Sequence, residues 1–252
     1  MKPYKLLVLT LLSAIYARSA TYTAVTSGNF SNSSTWQGAA VPPTSLVSGD
    51  LITIPLGLTI TLDQNLTINP STTLSISGTL TGGTGNYVSF NGGTLSGSGI
   101  ITVDSFSTGA TTTMTCPVAL RPKILNTSAL TITNTRSAGP SNYIGAQNRL
   151  RITGGTLTIS GGDFDMPATG EVIIDGGNIA LTAGTVIKTG NKSFKIIYQG
   201  APTSTGAEIA GHPVYDVDIN VLPGNTVSMT SNMTAKGVLT LKSGTLKVII
   251  MS

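Results

Sequence analysis

The 252-residue sequence predicts an all-β protein, a right-handed parallel β-helix or β-solenoid with an N-terminal cap. Three observations favour this class. From Leu51 onwards, short runs alternate apolar residues with Thr or Ser, as strands with one buried face do. A Gly-containing tetrapeptide recurs along the chain, and only 10% of the residues are charged, so hydroxyl groups cover most of the surface. Tandem β-sandwiches are the alternative, because short strands and Gly-rich turns also fit them.

Residues 1–19 have the pattern of a secretory signal peptide. Lys2 and Lys5 form the positive region, Leu6 to Tyr16 the apolar region, and Ala17 to Ser19 the small-residue cleavage site. No apolar run is long enough to anchor the mature chain in a bilayer, so we expect a protein that is secreted or at the cell surface. This segment carries 3 of the 14 basic residues, which leaves 11 basic against 10 acidic ones, and we therefore predict no binding to nucleic acid.

Residues 20–50 are the predicted cap. Asn, Gly and Pro residues divide the segment into turns. Trp36 is the only tryptophan, and in such a segment it most often closes the open end of a core. An exposed platform on which a sugar stacks is the functional alternative, so Trp36 is also a candidate ligand contact.

Residues 51–252 are the predicted solenoid. The recurring tetrapeptide occupies Ser77–Leu80, Gly92–Leu95, Gly154–Leu157, Gly176–Ile179 and Ser243–Leu246. Gaps of 62, 22 and 67 between successive starts fit a coil of about 20–22 residues, within the range of known solenoids. The first gap, 15, requires a short coil or a different pairing.

Three segments depart from this rhythm. Residues 110–148 predict longer coils or a projecting loop, and the chain restarts near residue 214 in what could be a second repeat module. The last strand-like run, Leu246 to Met251, is apolar and has no polar cap. We therefore expect the chain to be truncated there, with its C-terminal edge continuing into or packing on another module.

Two pairs of aspartates are candidates for chemistry. Asp163 and Asp165 flank one apolar residue, as do Asp216 and Asp218, so both carboxylates of a pair are expected to point outward. Their separation of roughly 6.5–7 Å is near that of inverting glycosidases, which makes a polysaccharide-binding or polysaccharide-degrading β-helix one alternative. Outward aspartates usually only solvate a strand, however, and no His, Arg or Tyr cluster accompanies them, so we predict no enzyme activity.

Other polar residues predict little chemistry. Arg149 and Arg151 alternate on one predicted strand face and are candidate contacts for an acidic glycan. His212 and Cys116 are each the only residue of their type, so neither a histidine metal site nor an internal disulfide is expected. We predict no metal and no cofactor.

Thr-x-Thr motifs suggest a third possible function, ice binding by a regular array of outward hydroxyl groups. They occupy residues 59–61, 79–81, 131–133 and 156–158. Their uneven spacing argues against a flat array, and Thr is in any case a favoured residue on exposed strand faces.

The chain resembles a family of secreted bacterial proteins, the β-strand-repeat surface or adhesin-like proteins. The residues that carry the resemblance are Ser34–Trp36, Val41–Pro42, Gly49–Ile54, Thr59–Asp63 and the repeat-like Gly237–Leu246. The resemblance implies a β-helical stalk with no catalytic residues. On this basis we expect an exported, non-catalytic structural module whose partner is an extracellular polysaccharide or another surface protein.

Overall fold

The computed structural model describes residues 19–109, 114–116, 118–132, 144–161, 163–167, 169–183, 185–187, 193–201, 204–210 and 213–248. Within these residues the chain is a parallel β-solenoid with three faces and without an α-helix. Every pairing between two strands is parallel among the residues described, which confirms the predicted fold class and excludes sandwiches built of antiparallel strands. No described helix is long and apolar enough to cross a membrane.

Most coils contribute a strand to each of three faces in turn, and the described face II strands end at β20. Face I contains β1 Thr21–Thr23, β3 Leu51–Ile54, β6 Thr73–Ile76, β9 Thr94–Ser96, β12 Met114–Cys116, β19 Asn178–Leu181, β23 Thr226–Ser228 and β25 Thr245–Lys247, together with the second halves of β14 Ile124–Ile132 and β16 Arg149–Ile159.

Face II contains β2 Gly28–Asn29, β4 Thr59–Leu62, β7 Thr79–Gly82, β10 Ile100–Thr102, β13 Ala119–Leu120, β15 Ile144–Gly145, β17 Asp163–Asp165 and β20 Thr185–Ile187. Face III contains β5 Leu66–Ile68, β8 Tyr87–Phe90, β11 Ser105–Thr108, the first halves of β14 and β16, β18 Thr169–Asp175, β21 Ser193–Gly200, β22 Asp216–Val221 and β24 Leu239–Ser243.

Register between coils confirms the predicted period over much of the rod. Leu51 pairs with Thr73, 22 positions later, and Thr73 pairs with Thr94 after 21. Thr156 pairs with Asn178, so two copies of the tetrapeptide lie in adjacent coils. The gap of 15 has a different origin: Thr79 lies on face II and Thr94 on face I, so these two copies mark different corners.

Coil length changes in the middle of the chain. Met114 pairs with Leu130 after only 16 positions, whereas Leu130 pairs with Leu157 after 27. The irregular region therefore contains one coil shorter and one longer than the usual length, and the predicted alternative of a projecting loop falls on residues 133–143, which lie outside the described part of the chain. At the predicted restart near residue 214, β22 pairs directly with β21, so one sheet continues across this point.

Alternating side chains build one continuous core. Ile52, Ile60, Leu74 and Leu80 are fully buried, and each is separated from the next inward position by a Thr or Ser that faces outward. At one corner the chain passes so close to a neighbouring coil that a Cβ on Gly78 would lie 2.3 Å from the carbonyl oxygen of Pro55. Only glycine fits there without a backbone shift.

The cap is an irregular first coil. Trp36 is 2% exposed, its ring meets Phe30 edge to face at 5.3 Å, and its Nε1 donates to the Phe30 carbonyl at 2.8 Å. The buried Asp50 carboxylate accepts from the backbone N–H groups of Ala20 and Val47, each at 2.9 Å, and so fastens the two ends of the segment. Trp36 therefore closes the end of the core, and its ring faces are not an exposed stacking surface.

At the other end, inward positions become exposed. Leu239 and Leu241 of β24 continue the columns of the buried Val217 and Ile219, yet they are 48% and 57% exposed. Val248 is also exposed. No described strand covers β24 on its outer side, while residues 249–252 lie outside the described part of the chain.

Candidate functional site

The two predicted aspartate pairs lie on different faces. Asp163 and Asp165 belong to β17 on face II, and Asp216 and Asp218 belong to β22 on face III, two coils further on. In each pair the intervening residue is buried, as predicted. The structure does not bring the four carboxylates into one site.

Asp218 is held between two lysines from neighbouring coils. Its Oδ2 lies 2.6 Å from Nζ of Lys195 and 2.6 Å from Nζ of Lys242, and its side chain is 5% exposed. Burial by itself raises the pKa of Asp218, but hydrogen bonds and attraction from both lysines outweigh it and hold the pKa below its ordinary value. Asp216 accepts a hydrogen bond from the Val238 N–H at 2.8 Å, so it too connects two coils.

On face II, Asp165 pairs with Arg121. Nη2 of the arginine lies 3.4 Å from Oδ2 of the aspartate, and both side chains are less than one-fifth exposed. Gly145 lies beside Asp165 in the intervening coil, where a Cβ would stand 2.1 Å from the Asp165 carbonyl oxygen. The glycine therefore permits the close approach of the coils that this ion pair spans.

The two candidate arginines face acids one coil away. Arg149 Nε lies 3.3 Å from Glu171 Oε2, and Arg151 Nε donates to Asp175 Oδ2 at 3.1 Å. Burial raises the pKa of Asp175, but hydrogen bonds from Arg151 and Gln199 and the arginine charge lower it overall. Both arginines are thus engaged within the rod.

A cleft of about 520 Å³ opens at the corner between faces II and III. Its charged residues form two ion pairs, Asp104 with Lys123 at 2.7 Å and Arg149 with Glu171. The Lys123 hydrogen bond, helped by the Gly85 N–H, holds the pKa of Asp104 below its ordinary value. A glycosidase needs one carboxyl with a raised pKa to donate a proton, and a lowered pKa opposes that role.

One buried polar pair was not predicted from the sequence. Tyr198 is fully buried and donates its hydroxyl to Glu208 Oε1 at 2.7 Å, and the Gly206 N–H donates to the same oxygen at 2.6 Å. Burial, followed by the Glu208 charge, raises the pKa of Tyr198 well above its ordinary value. This pair joins β21 to the bend at residues 204–210 inside the core.

Sequence reasoning also missed most partners of the ion pairs. A usable signal existed, because the paired charges are separated by about one coil: 22 positions for Arg149 and Glu171, and 24 for Arg151 and Asp175. Combining the coil period with the sign of the charge would have found these two pairs, but not Arg121 with Asp165, which are 44 positions apart.

Metal ligands are not clustered in the part of the chain that the structure describes: no group of three or more His, Cys, Asp or Glu side chains occurs there. His212 and the Cys116 side chain lie outside the described set.

The fold and these contacts define a parallel β-solenoid whose coils are joined by ion pairs on faces II and III. Searches against protein-family models, curated proteins and solved structures found no match.

Proposed function

We propose that the protein is an exported, non-catalytic β-solenoid that serves as a rigid surface or adhesin-like structural module. The observation that carries the proposal is the coil-to-coil engagement of its carboxylates. Asp104, Asp165, Asp175 and Asp218 each join a basic residue on another coil. Such contacts hold neighbouring coils together, whereas catalysis would need at least one carboxyl group poised to release a proton.

A stacked rod is suited to a spacer or display role. Neighbouring coils share one core, so the rod resists bending at any single coil and can hold a partner away from the cell surface. The partner in this proposal is another surface protein or an extracellular polysaccharide, and residues 1–19 supply the export signal.

Location and catalysis can be tested separately. Cells that express the full chain are treated with a protease that does not enter them, and a variant lacking residues 2–19 is the control. We expect the full chain to be cleaved on intact cells or found in the medium, and the variant to be protected. Protection of the full chain would contradict export.

For catalysis, the purified chain is incubated with a polysaccharide panel beside the double variant Asp163→Ala/Asp165→Ala. We expect no shortening of any polysaccharide by either protein. Turnover by the wild type that the double variant lacks would replace the structural proposal with a polysaccharide-degrading one.

A further inference from the structure

Face I presents outward hydroxyl groups in two aligned columns. Register pairs Thr23 with Thr53, Thr53 with Ser75, and Ser75 with Ser96. A second column, two positions away on each strand, contains Thr21, Leu51, Thr73 and Thr94. Seven of these eight side chains carry a hydroxyl, and all eight are half-buried or exposed.

Further along face I the hydroxyl pattern recurs but is interrupted. Thr131 pairs with Thr158 and Thr226 pairs with Thr245, whereas Asn178 lies beside Thr156 and Ala180 beside Thr158. Uneven spacing in the sequence is compatible with alignment within a face, because corner and coil lengths vary while paired strands remain in register. On face II the motifs also align, with Thr59 beside Thr79 and Thr61 beside Thr81.

Face I differs from the other faces in its lack of charge. Among its described outward strand positions, the first charged residue is Lys247 in β25. On face II, Arg121 directly follows β13 and two aspartates lie in β17. Face III carries the ion pairs of Arg149, Arg151 and Asp218.

The hydroxyl groups of face I are available to an external ligand. In the described part of the chain, the side chains of both four-residue columns make no hydrogen bond to protein. A hydroxyl can donate and accept, so each can bond to a lattice of water in either orientation. Threonine also holds its hydroxyl and methyl in few orientations, because its branched Cβ restricts χ1.

Stacking sets the dimensions of the array. Neighbouring strands are about 4.8 Å apart, and alternate residues on one strand are roughly 6.5–7 Å apart. Behind the hydroxyl groups, Ile52, Leu74 and Leu95 are packed in the core and hold the strands rigid. Many weak contacts to an ordered lattice of water can then form together without a large loss of side-chain entropy.

We propose that face I binds ice. Charged groups keep strong hydration shells of their own, so a charge-free face is compatible with an ordered water lattice. A sugar surface is the less suitable partner, because saccharide rings pack on aromatic faces and the described outward positions of face I contain no aromatic residue. This binding activity is additional to the surface-module role and does not depend on it.

The test measures thermal hysteresis and ice-crystal shape with the purified full chain. Ser75→Tyr places a bulky ring in the middle of the array, and Thr94→Tyr does the same one coil away. Ser107→Tyr is the matched control, because Ser107 is also a half-buried outward serine but lies on face III. Thr81→Tyr probes face II.

We expect hysteresis and faceted crystals from the wild type and from Ser107→Tyr, and loss of most of the hysteresis in both face I variants. Thermal unfolding of each variant establishes that the fold is retained.

Absence of hysteresis in the wild type would overturn the proposal, and so would greater loss of hysteresis in Thr81→Tyr or Ser107→Tyr than in the face I variants. Binding to crystalline cellulose or chitin without hysteresis, abolished by Ser75→Tyr, would assign face I to polysaccharide instead. Failure here leaves the protease and polysaccharide results unaffected, so the two proposals are tested independently.

Discussion

Replacing Trp36 with alanine is expected to open the N-terminal end of the core. The indole is 2% exposed, meets Phe30 edge to face at 5.3 Å, and donates to the Phe30 carbonyl at 2.8 Å. The change therefore removes a packed ring and a buried hydrogen-bond donor together.

The expected loss follows from these contacts. Truncating a buried Trp to Ala destabilises a protein by about 3–5 kcal/mol. We expect a value near the top of this range, since the edge-to-face contact contributes about 0.5–1.5 kcal/mol and a carbonyl that loses its donor adds about 1 kcal/mol. Trp36→Phe keeps an aromatic ring and is expected to lose about 1–2 kcal/mol.

Hydrogen exchange measures where this loss occurs. Stability in a solenoid is local, so the first coil should open without the rest of the rod. The Ala24 and Phe30 amides donate to Thr53 and Thr61 in the next coil and report on that opening. In Trp36→Ala we expect their exchange to become about a hundredfold faster or more, whereas the Thr182 amide, which donates to Ile159 far from the cap, is unchanged.

Two results would refute this reasoning. Unchanged exchange at Ala24 and Phe30 would mean that Trp36 does not hold the cap, and equal acceleration at Thr182 would mean that the rod unfolds as one unit. Trp36→Phe is the control for ring size, and an effect as large as that of alanine would assign the role to the indole N–H alone.

Three further predictions concern the coil contacts. Folding lowers the pKa of Asp218, so the carboxylate stabilises the folded protein fully above the ordinary Asp pKa of about 3.9, and this stabilisation is lost as the pH falls below that value. Acid unfolding of Asp218→Asn should therefore depend less on pH than that of the wild type. Equal unfolding curves would contradict this. The Arg149–Glu171 pair is well exposed, so a double-mutant cycle should give a coupling of about 1 kcal/mol or less that vanishes in high salt, and a salt-independent coupling would argue against an exposed pair. Gly78→Ala places a Cβ against the Pro55 carbonyl and should lower the free energy of unfolding by about 1–3 kcal/mol in denaturant titration, whereas a neutral result would show that this corner can widen.

The candidate site was less predictable than the fold. Alternation in Thr59–Leu62 and Thr73–Ile76 correctly assigned which side chains enter the core. Asp163, Asp165 and Asp216 are half-buried on the outer side of their strands, whereas Asp218 is buried between two lysines. Their basic partners were not predicted, because these lie one coil away for Asp218 and two coils away for Asp165. The Thr-x-Thr motifs do not form one array, because Thr59 and Thr61 align with Thr79 and Thr81 on face II while Thr131 aligns with Thr158 on face I.

By itself, the sequence determined the strand faces, the usual coil length and the plug at Trp36, because side chains alternate with period 2 and each coil repeats after about 21 residues. Only the tertiary structure decided which segments share a face. Corners differ in length, so two tetrapeptides 15 positions apart lie on different faces while Thr53 and Ser75 lie side by side. The arrangement of hydroxyl groups on face I and of ion pairs on faces II and III follows from these corners, and corner geometry depends on contacts between coils that are distant in sequence.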